Sequence, residues 1–375
     1  MKIVISAARI FTGLLFIFSG LVKAIDPKGL GFKMQEFFEA WSNSGFLPGL
    51  MKILDAHVLA FSIIMITLEV IVGVALLVGW QKRITTWVLL LLMLFFTFLT
   101  SYVLFTGKIK ACGCFGDCIP LTPTQTFSKD IFLLILVIFI LFNLKYINQI
   151  AKPFINFLFV ALATVLILYL QWYVLKNLPL KDCLPYKVGN NILELRKVPA
   201  NAVQDKFEYL FIYEKNGEKK EFASSPDSTW KYVDRKQTLV QKGSNNIPVI
   251  NDYSLSTENG DDSTEAILNT KGEYYLLYIK SLEYYPIKWN GDAKFILKTI
   301  EQNKTVYIVT SELTKVKERF VNEPSLKNVF NKIKILTCDA TVMKTVARVN
   351  PTLYLMDGAV VKQKWSWAAF EGIGD

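Results

Sequence analysis

The chain holds a single histidine, His57, and that scarcity excludes whole classes of chemistry. Metal sites built on several imidazoles, and hydrolysis by a Ser-His-Asp triad, cannot be assembled from one ring at the mouth of an apolar segment. Charge is scarce too. At 20% charged and 52% hydrophobic, with a positive mean hydropathy, the 375 residues are too apolar for an ordinary soluble protein. The shortage is local: nearly all the long uncharged runs precede residue 176 and most of the charge follows, which divides the chain into a membrane half and a water-soluble half. Lys and Arg outnumber Asp and Glu by 42 to 32, and the resulting +10 suits an anionic membrane surface. Nothing besides that charge speaks for nucleic acid, which is discounted as a partner.

An uncharged apolar run of about 18 or more residues can cross about 30 Å of hydrocarbon as a helix. Residues 84–106 and 154–175 contain no charge, 131–147 is close to that pattern, 57–80 qualifies despite Glu69, and 3–23 despite Arg9. The opening run starts basic like a signal peptide, but it is long, carries Arg9 and lacks a small-x-small cleavage site, so it reads as a retained span. Five spans put the two ends on opposite sides. The turns 81–83 and 145–153 are short, basic and free of acid, which places them and the amino terminus in the cytoplasm of a bacterium. The loops 24–56 and 107–130, with everything after 176, then lie in the periplasm beyond the inner membrane. In the first of these loops Leu30, Met34, Phe37, Phe38 and Trp41 recur at helical spacing opposite Lys33, Glu36 and Glu39, the pattern of a helix lying flat at the interface. Arg9 and Glu69 are costly inside a bilayer. They suit a buried pair that holds spans one and two in register, or a polar group in a quinone or proton site. Trp172 and Tyr173 read as interface anchors.

Five cysteines are the main chemical resource. Cys112, Cys114 and Cys118 fall within KIKACGCFGDCIP, between the third and fourth spans, and Cys183 re-emerges on the same side after the fifth. Gly113 and Gly116 let that loop turn tightly, while Lys108 and Lys110 favour thiolate over thiol. Four outward cysteines allow three pairings. Three readings stay open: a structural disulfide, a redox-active pair passing oxidising equivalents to periplasmic proteins or a membrane quinone, and a metal site of three or four thiolates. The last lacks the paired C-x-x-C knuckles of structural zinc. Cys338, after IKIL and before a helix, reads as a small, partly buried residue.

Beyond the last span, FEYLFIYEKNGEKKEF predicts a hairpin across Asn216-Gly217, and Trp230 to Val233 with Thr238 to Gln241 suggest another pair of strands. From about residue 247, strands and helices alternate (GEYYLLYIK, FILKTIEQN, TVYIVT, LTKVKERF, IKIL, DATVMKTVARV) and end in a hairpin across Asp357-Gly358. That order argues for a central sheet with helices on its faces.

RIFTGLLFIFSGLVKAIDP, ITLEVIVGVALLVGW and CGCFGDC followed by SKD give residues 1 to about 147 a sequence that resembles the DoxX and MauE family of small polytopic bacterial membrane proteins. The resemblance implies a four-helix membrane bundle, to which the fifth span is added. It also implies roles in sulfur or thiol redox, quinone-linked electron transfer, or maturation of a disulfide-rich periplasmic enzyme. Arg9, Lys23, Glu69, Cys112 and Cys114 match the family's pattern. Residues 247–375, with PVINDYSLSTENG and VNPTLYLMDGAVV, resemble thioredoxin-like domains of the membrane-tethered kind, and Pro351 matches their cis-proline, which helps hold an extended peptide. Where those domains have C-x-x-C, this chain reads SLEYYPIKW, without cysteine, so dithiol chemistry at that position is impossible. Tyr284, Tyr285 and Trp289 there either line a peptide groove or belong to the core.

The expected architecture is an α-helical membrane bundle (1–150), a fifth span (151–180), a small β-rich module (181–246) and an α/β thioredoxin-like domain (247–375). The expected function is thiol-disulfide handling for periplasmic clients through Cys112, Cys114, Cys118 and Cys183. A quinone is the one cofactor considered, and membrane lipid and a periplasmic client or envelope complex are the partners. The alternative is a non-enzymatic scaffold subunit with permanent disulfides.

Overall fold

The computed structural model describes residues 1–109, 113, 115–241, 243–283, 285 and 291–372. Its first half is helical: α1 (Lys2–Ala24), α2 (Pro27–Asn43), α3 (Pro48–Ala56), α4 (Val58–Val78), α5 (Lys82–Thr106), α6 (Pro123–Phe142) and α7 (Pro153–Lys176). Among the described residues, α1, α4, α5, α6 and α7 are long and apolar enough to cross a membrane, so this is a membrane protein. Helix α1 packs on α4, α5 on α6, and α7 on α4. Lipid offers no hydrophobic drive for such pairing, so close backbone approach must supply it. At the α1–α4 crossing a Cβ on Gly73 would stand 2.9 Å from the carbonyl oxygen of Gly13, so a larger residue there would push the two helices apart.

Asp26 caps α2, accepting a hydrogen bond from the Gly29 amide at 3.1 Å. The stripe Leu30, Met34, Phe37, Phe38 and Trp41 is buried, as its spacing predicts. It faces protein: Phe38 meets Phe61 of α4, and Trp41 meets Phe98 and Tyr102 of α5. Thr122 and Gln125 form a capping box at the start of α6.

The expected Arg9–Glu69 pair does not form. Because α4 runs antiparallel to α1, Arg9 lies level with Leu77, eight residues or about 12 Å of helix beyond Glu69. Its guanidinium donates to the carbonyls of Leu77 (2.6 Å) and Asn148 (3.0 Å), tying α1 to the loop before α7. Glu69 pairs instead with Lys23, at the other end of α1.

The second half contains α8 (Ile192–Leu195), β1 (Lys206–Lys215), β2 (Glu218–Phe222), β3 (Lys231–Gln241), α9 (Thr264–Leu268), β4 (Glu273–Ile279), α10 (Gly291–Glu301), β5 (Thr305–Thr310), α11 (Leu313–Val321), β6 (Lys334–Thr337), α12 (Ala340–Val346), β7 (Thr352–Asp357) and β8 (Val360–Ser366). The first three strands form an antiparallel sheet in the order β2-β1-β3, with β1 and β2 joined across Asn216-Gly217. The second strand pair expected there is one continuous strand, β3, laid along β1. Asp-Arg-Lys-Gln at 234–237 has no glycine, proline or asparagine with which to turn.

The other sheet has the order β6-β5-β4-β7-β8, parallel through β4, β5 and β6 and antiparallel at β7 and β8. Alternate residues of β4 feed two cores. Tyr274, Leu276 and Tyr278 face Leu255, Met343 and Val346, while Tyr275, Leu277 and Ile279 face Phe295, Ile296 and Phe320. A strand covered on both faces needs an unbroken apolar run, which EYYLLYI provides. Tyr186 and Ile192 join the first of these cores. Their segment therefore packs with the five-stranded sheet rather than with the small β module to which 181–246 assigns it.

Candidate functional site

Cys118 and Cys183 are disulfide-bonded, linking the loop between α5 and α6 to the segment after α7. A turn closed by the Gly116 amide on the Gly113 carbonyl (2.9 Å) leads into a single helical turn, Gly116–Cys118, which presents the first sulfur. Both cysteines are half-buried, at a small cleft whose wall includes Lys23, Asp26, Lys33 and Lys181. Cys112, Cys114 and Lys110 lie outside the described residues.

Each bonded cysteine follows an aspartate, and each aspartate is held by a cation of the five-stranded sheet region. Asp117 pairs with Arg348 Nη2 at 2.9 Å, and Asp182 with Lys364 Nζ at 2.6 Å. Arg348, with its side chain 8% exposed, also pairs through Nε with Asp26 at 2.7 Å and donates to the Lys344 carbonyl at 2.8 Å. Lys28 donates to the Arg348 carbonyl (2.7 Å) and Lys344 to Gln35 Oε1 (2.9 Å). These contacts dock the loop before β7 onto the cysteine end of the bundle. That loop contains the cis Asn350–Pro351 bond, and Pro351 is buried.

Within the bundle, Lys23 Nζ sits 2.6 Å and 2.9 Å from the two Glu69 oxygens and 4.5 Å from the centre of the Phe96 ring. The pair is buried, with side-chain exposures of 2% and 4%. Lys23 also forms part of the wall of the disulfide cleft, so the buried ion pair and the disulfide are neighbours.

Of the aromatic trio expected at a peptide groove, Tyr284 and Trp289 lie outside the described residues. Tyr285 is a core residue. Its hydroxyl donates to the fully buried Asp292, whose carboxylate also pairs with Arg319 at 3.0 Å, so it is not free to line a groove. Cys338 is free and buried. Burial, and then the neighbouring Asp339 carboxylate, push its thiol up to about 12. At pH 8 its thiolate fraction falls roughly a thousandfold below that of an ordinary cysteine. In native protein, Cys338 should therefore stay unlabelled by maleimide until denaturant is added, and labelling at the rate of an exposed thiol would contradict this burial.

Sequence reading missed Asp26, Asp117, Asp182, Arg348 and Lys364. The aspartates had a signal, since GDC and KDC repeat the same dipeptide; the cations had none.

Residues 1–143 match the family described as Methylamine utilisation protein MauE, and residues 207–242 match a domain of unknown function (DUF8463). Over 120 residues the chain is 32% identical to Protein TlpB of Flavobacterium psychrophilum, across 31% of this chain and 32% of that protein. The chain thus spans about a third of the length of the curated relative it matches. The stretch that is similar to the MauE family is the one that builds α1 to α6 and the cysteine loop.

Proposed function

We propose that this protein handles disulfides at the periplasmic face of a bacterial inner membrane, with its amino terminus in the cytoplasm and the five-stranded domain in the periplasm. The observation that carries the reading is the half-buried Cys118–Cys183 bond, whose two flanking aspartates are gripped by the docked sheet domain. In the proposed cycle a client thiolate attacks one sulfur and releases the other cysteine as a thiolate. A second client thiolate resolves the mixed disulfide, leaving the client oxidised and Cys118 and Cys183 reduced by two electrons. Exchange with a disulfide between Cys112 and Cys114 then restores the bond and leaves that pair as a dithiol, and a bilayer quinone, reduced to the quinol by the two electrons and two protons, is the acceptor we favour for re-forming it. Lys33 and Lys181 at the cleft favour the departing thiolates.

The sheet order and the cis Asn350–Pro351 bond support a thioredoxin-like reading of the last domain. Without C-x-x-C it serves as a cap and positioning domain, and the buried Pro351 lies in the loop turned toward the bundle rather than toward a client. The second reading, a scaffold subunit with a permanent staple, is favoured by the same grip if the grip never loosens.

Thiol trapping in intact cells at graded redox poise, with mass-spectrometric mapping of Cys112, Cys114, Cys118 and Cys183, decides between them. A pair that shifts between oxidised and reduced, or a mixed disulfide with another protein, is the expected result. If all four cysteines stay oxidised under mild reductant, the relay is wrong and the scaffold stands.

A further inference from the structure

A second cavity, of about 700 Å³, lies at the seam between the bundle and the sheet domain. Its walls are chemically divided. Leu59 and Ile63 of α4 and Leu175 of α7 supply an apolar side. Lys28, Lys280, Asp55 and His57 supply its charged and polar lining. Among the described residues, two of these groups have no ion-pair partner. Among the described residues, the Lys280 ammonium meets no carboxylate and rests only over the Phe32 ring, 5.4 Å from its centre. Among the same residues, one oxygen of Asp55 is buried without a hydrogen-bond partner. A lone half-buried cation and a lone buried carboxylate oxygen on one cavity are each costly unless something brings the complementary charge.

The level of the cavity says what can reach it. Trp172, 57% exposed, lies one turn before Leu175, and Lys176 bridges the rings of Trp172 and Trp367. Such an aromatic and lysine belt marks headgroup depth. A ligand at that depth with an anion for Lys280, a hydrogen-bond-donating cation for Asp55 and hydrocarbon for Leu59, Ile63 and Leu175 is an aminophospholipid.

We propose that this cavity holds a phospholipid with a primary ammonium head, its phosphate on Lys280 and Lys28 and its ammonium on Asp55. Phe32 stiffens the phosphate side, since Arg348 and Lys344 also stand over its ring at 5.3 Å and 5.5 Å. A bound lipid of this kind would fill the seam between the two halves and join them to the bilayer.

Protonation gives a signature. Burial, and then the cations Lys28, Arg348 and Lys344, push the Lys280 ammonium down to about 7, with Asp26 opposing; Asp55 and His57 are the other titratable groups on the cavity lining. A phosphate would favour the charged form, so binding is strongest below that value and weakens as pH rises through it.

The test uses the full chain, purified in mild detergent and equilibrated with vesicles of equal parts phosphatidylethanolamine, phosphatidylcholine and phosphatidylglycerol, with retained lipid read by native mass spectrometry. Wild type should retain phosphatidylethanolamine about tenfold over phosphatidylcholine, the size of one charge-assisted hydrogen bond that a quaternary head cannot make. Asp55→Asn should erase that preference while keeping phosphate lipids. Lys280→Gln should lower retention of all three several-fold, and Lys280→Arg should restore it and flatten its fall between pH 6 and 8.5. Ile63→Trp, which narrows the apolar side without touching charge, should also reduce retention. Equal retention of the three lipids by wild type, or an unchanged preference in Asp55→Asn, would overturn the proposal. So would displacement of the lipid by a tenfold excess of inorganic phosphate, because the site would then take a free anion.

Discussion

Lys23→Met should destabilise the bundle by about 3–5 kcal/mol, the range for removing one partner of a buried ion pair. Methionine fills most of the lysine's volume against Phe96 but leaves the Glu69 carboxylate, on a side chain 4% exposed, with no counter-charge. The cost comes from that stranded charge more than from the lost attraction. The double variant Lys23→Met/Glu69→Met should accordingly recover most of the stability, because two buried charges vanish together. Thermal unfolding in detergent, followed by tryptophan fluorescence, measures both. If Lys23→Met unfolds within a degree or two of wild type, Glu69 is satisfied by some other means and the pair is not structural. The double variant also separates the two roles considered for Glu69. Stable protein with normal cysteine exchange would make the pair a register pin, and stable protein without exchange would give it a part in moving protons.

Arg348→Ala should undock the five-stranded domain. One side chain holds Asp26, Asp117 and the Lys344 carbonyl, and its loss leaves two carboxylates facing each other at the seam. Because Asp117 is 40% exposed, the expected cost is at the lower end of the range for such pairs, about 3 kcal/mol. Hydrogen exchange should rise in 340–352 and around Asp26 while the central strands stay protected. Lys in its place should not rescue, since an ammonium cannot fork between two carboxylates. Unchanged exchange in Arg348→Ala would mean that the Lys364–Asp182 pair and apolar contacts dock the domain by themselves. If the relay proposed above operates, the same variant should also speed reduction of Cys118–Cys183, because Asp117 is then released beside the bond.

What could be read in the sequence follows from which forces act locally. The spans were legible because a bilayer demands long apolar runs, and the α2 stripe because a helix repeats every 3.6 residues. The hairpin at Asn216-Gly217 and the unbroken run of β4 were legible for the same kind of reason. The partner of Glu69 was not: it depends on the axial register of two antiparallel helices, which the Gly13–Gly73 contact fixes and spacing cannot reveal. Nor could four cysteines name the Cys118–Cys183 bond among three pairings. Arg348 carried no signal in the sequence, because its importance arises from carboxylates 322 and 231 positions away. Tyr186 was read into the wrong unit because the residues it packs against, such as Tyr354 and Val361, come late in the chain.

That misplacement has a consequence. Tyr186 and Ile192 precede the three-stranded sheet, Ile250 and Tyr253 follow it, and all four lie in one core. The chain leaves and re-enters through a single gate, where Val203 and Ser244 exchange hydrogen bonds of 2.8 Å and 2.9 Å. Gly243 closes that gate so tightly that a Cβ there would lie 2.0 Å from the Val203 carbonyl oxygen. The strands between are a guest carried by a host fold that is complete without them, and a separate family match covers nearly the guest alone. Cutting the chain at the gate and splicing in a two-residue turn should leave the host intact, so the guest can be lost, exchanged or replaced by a reporter without renegotiating the fold that carries it.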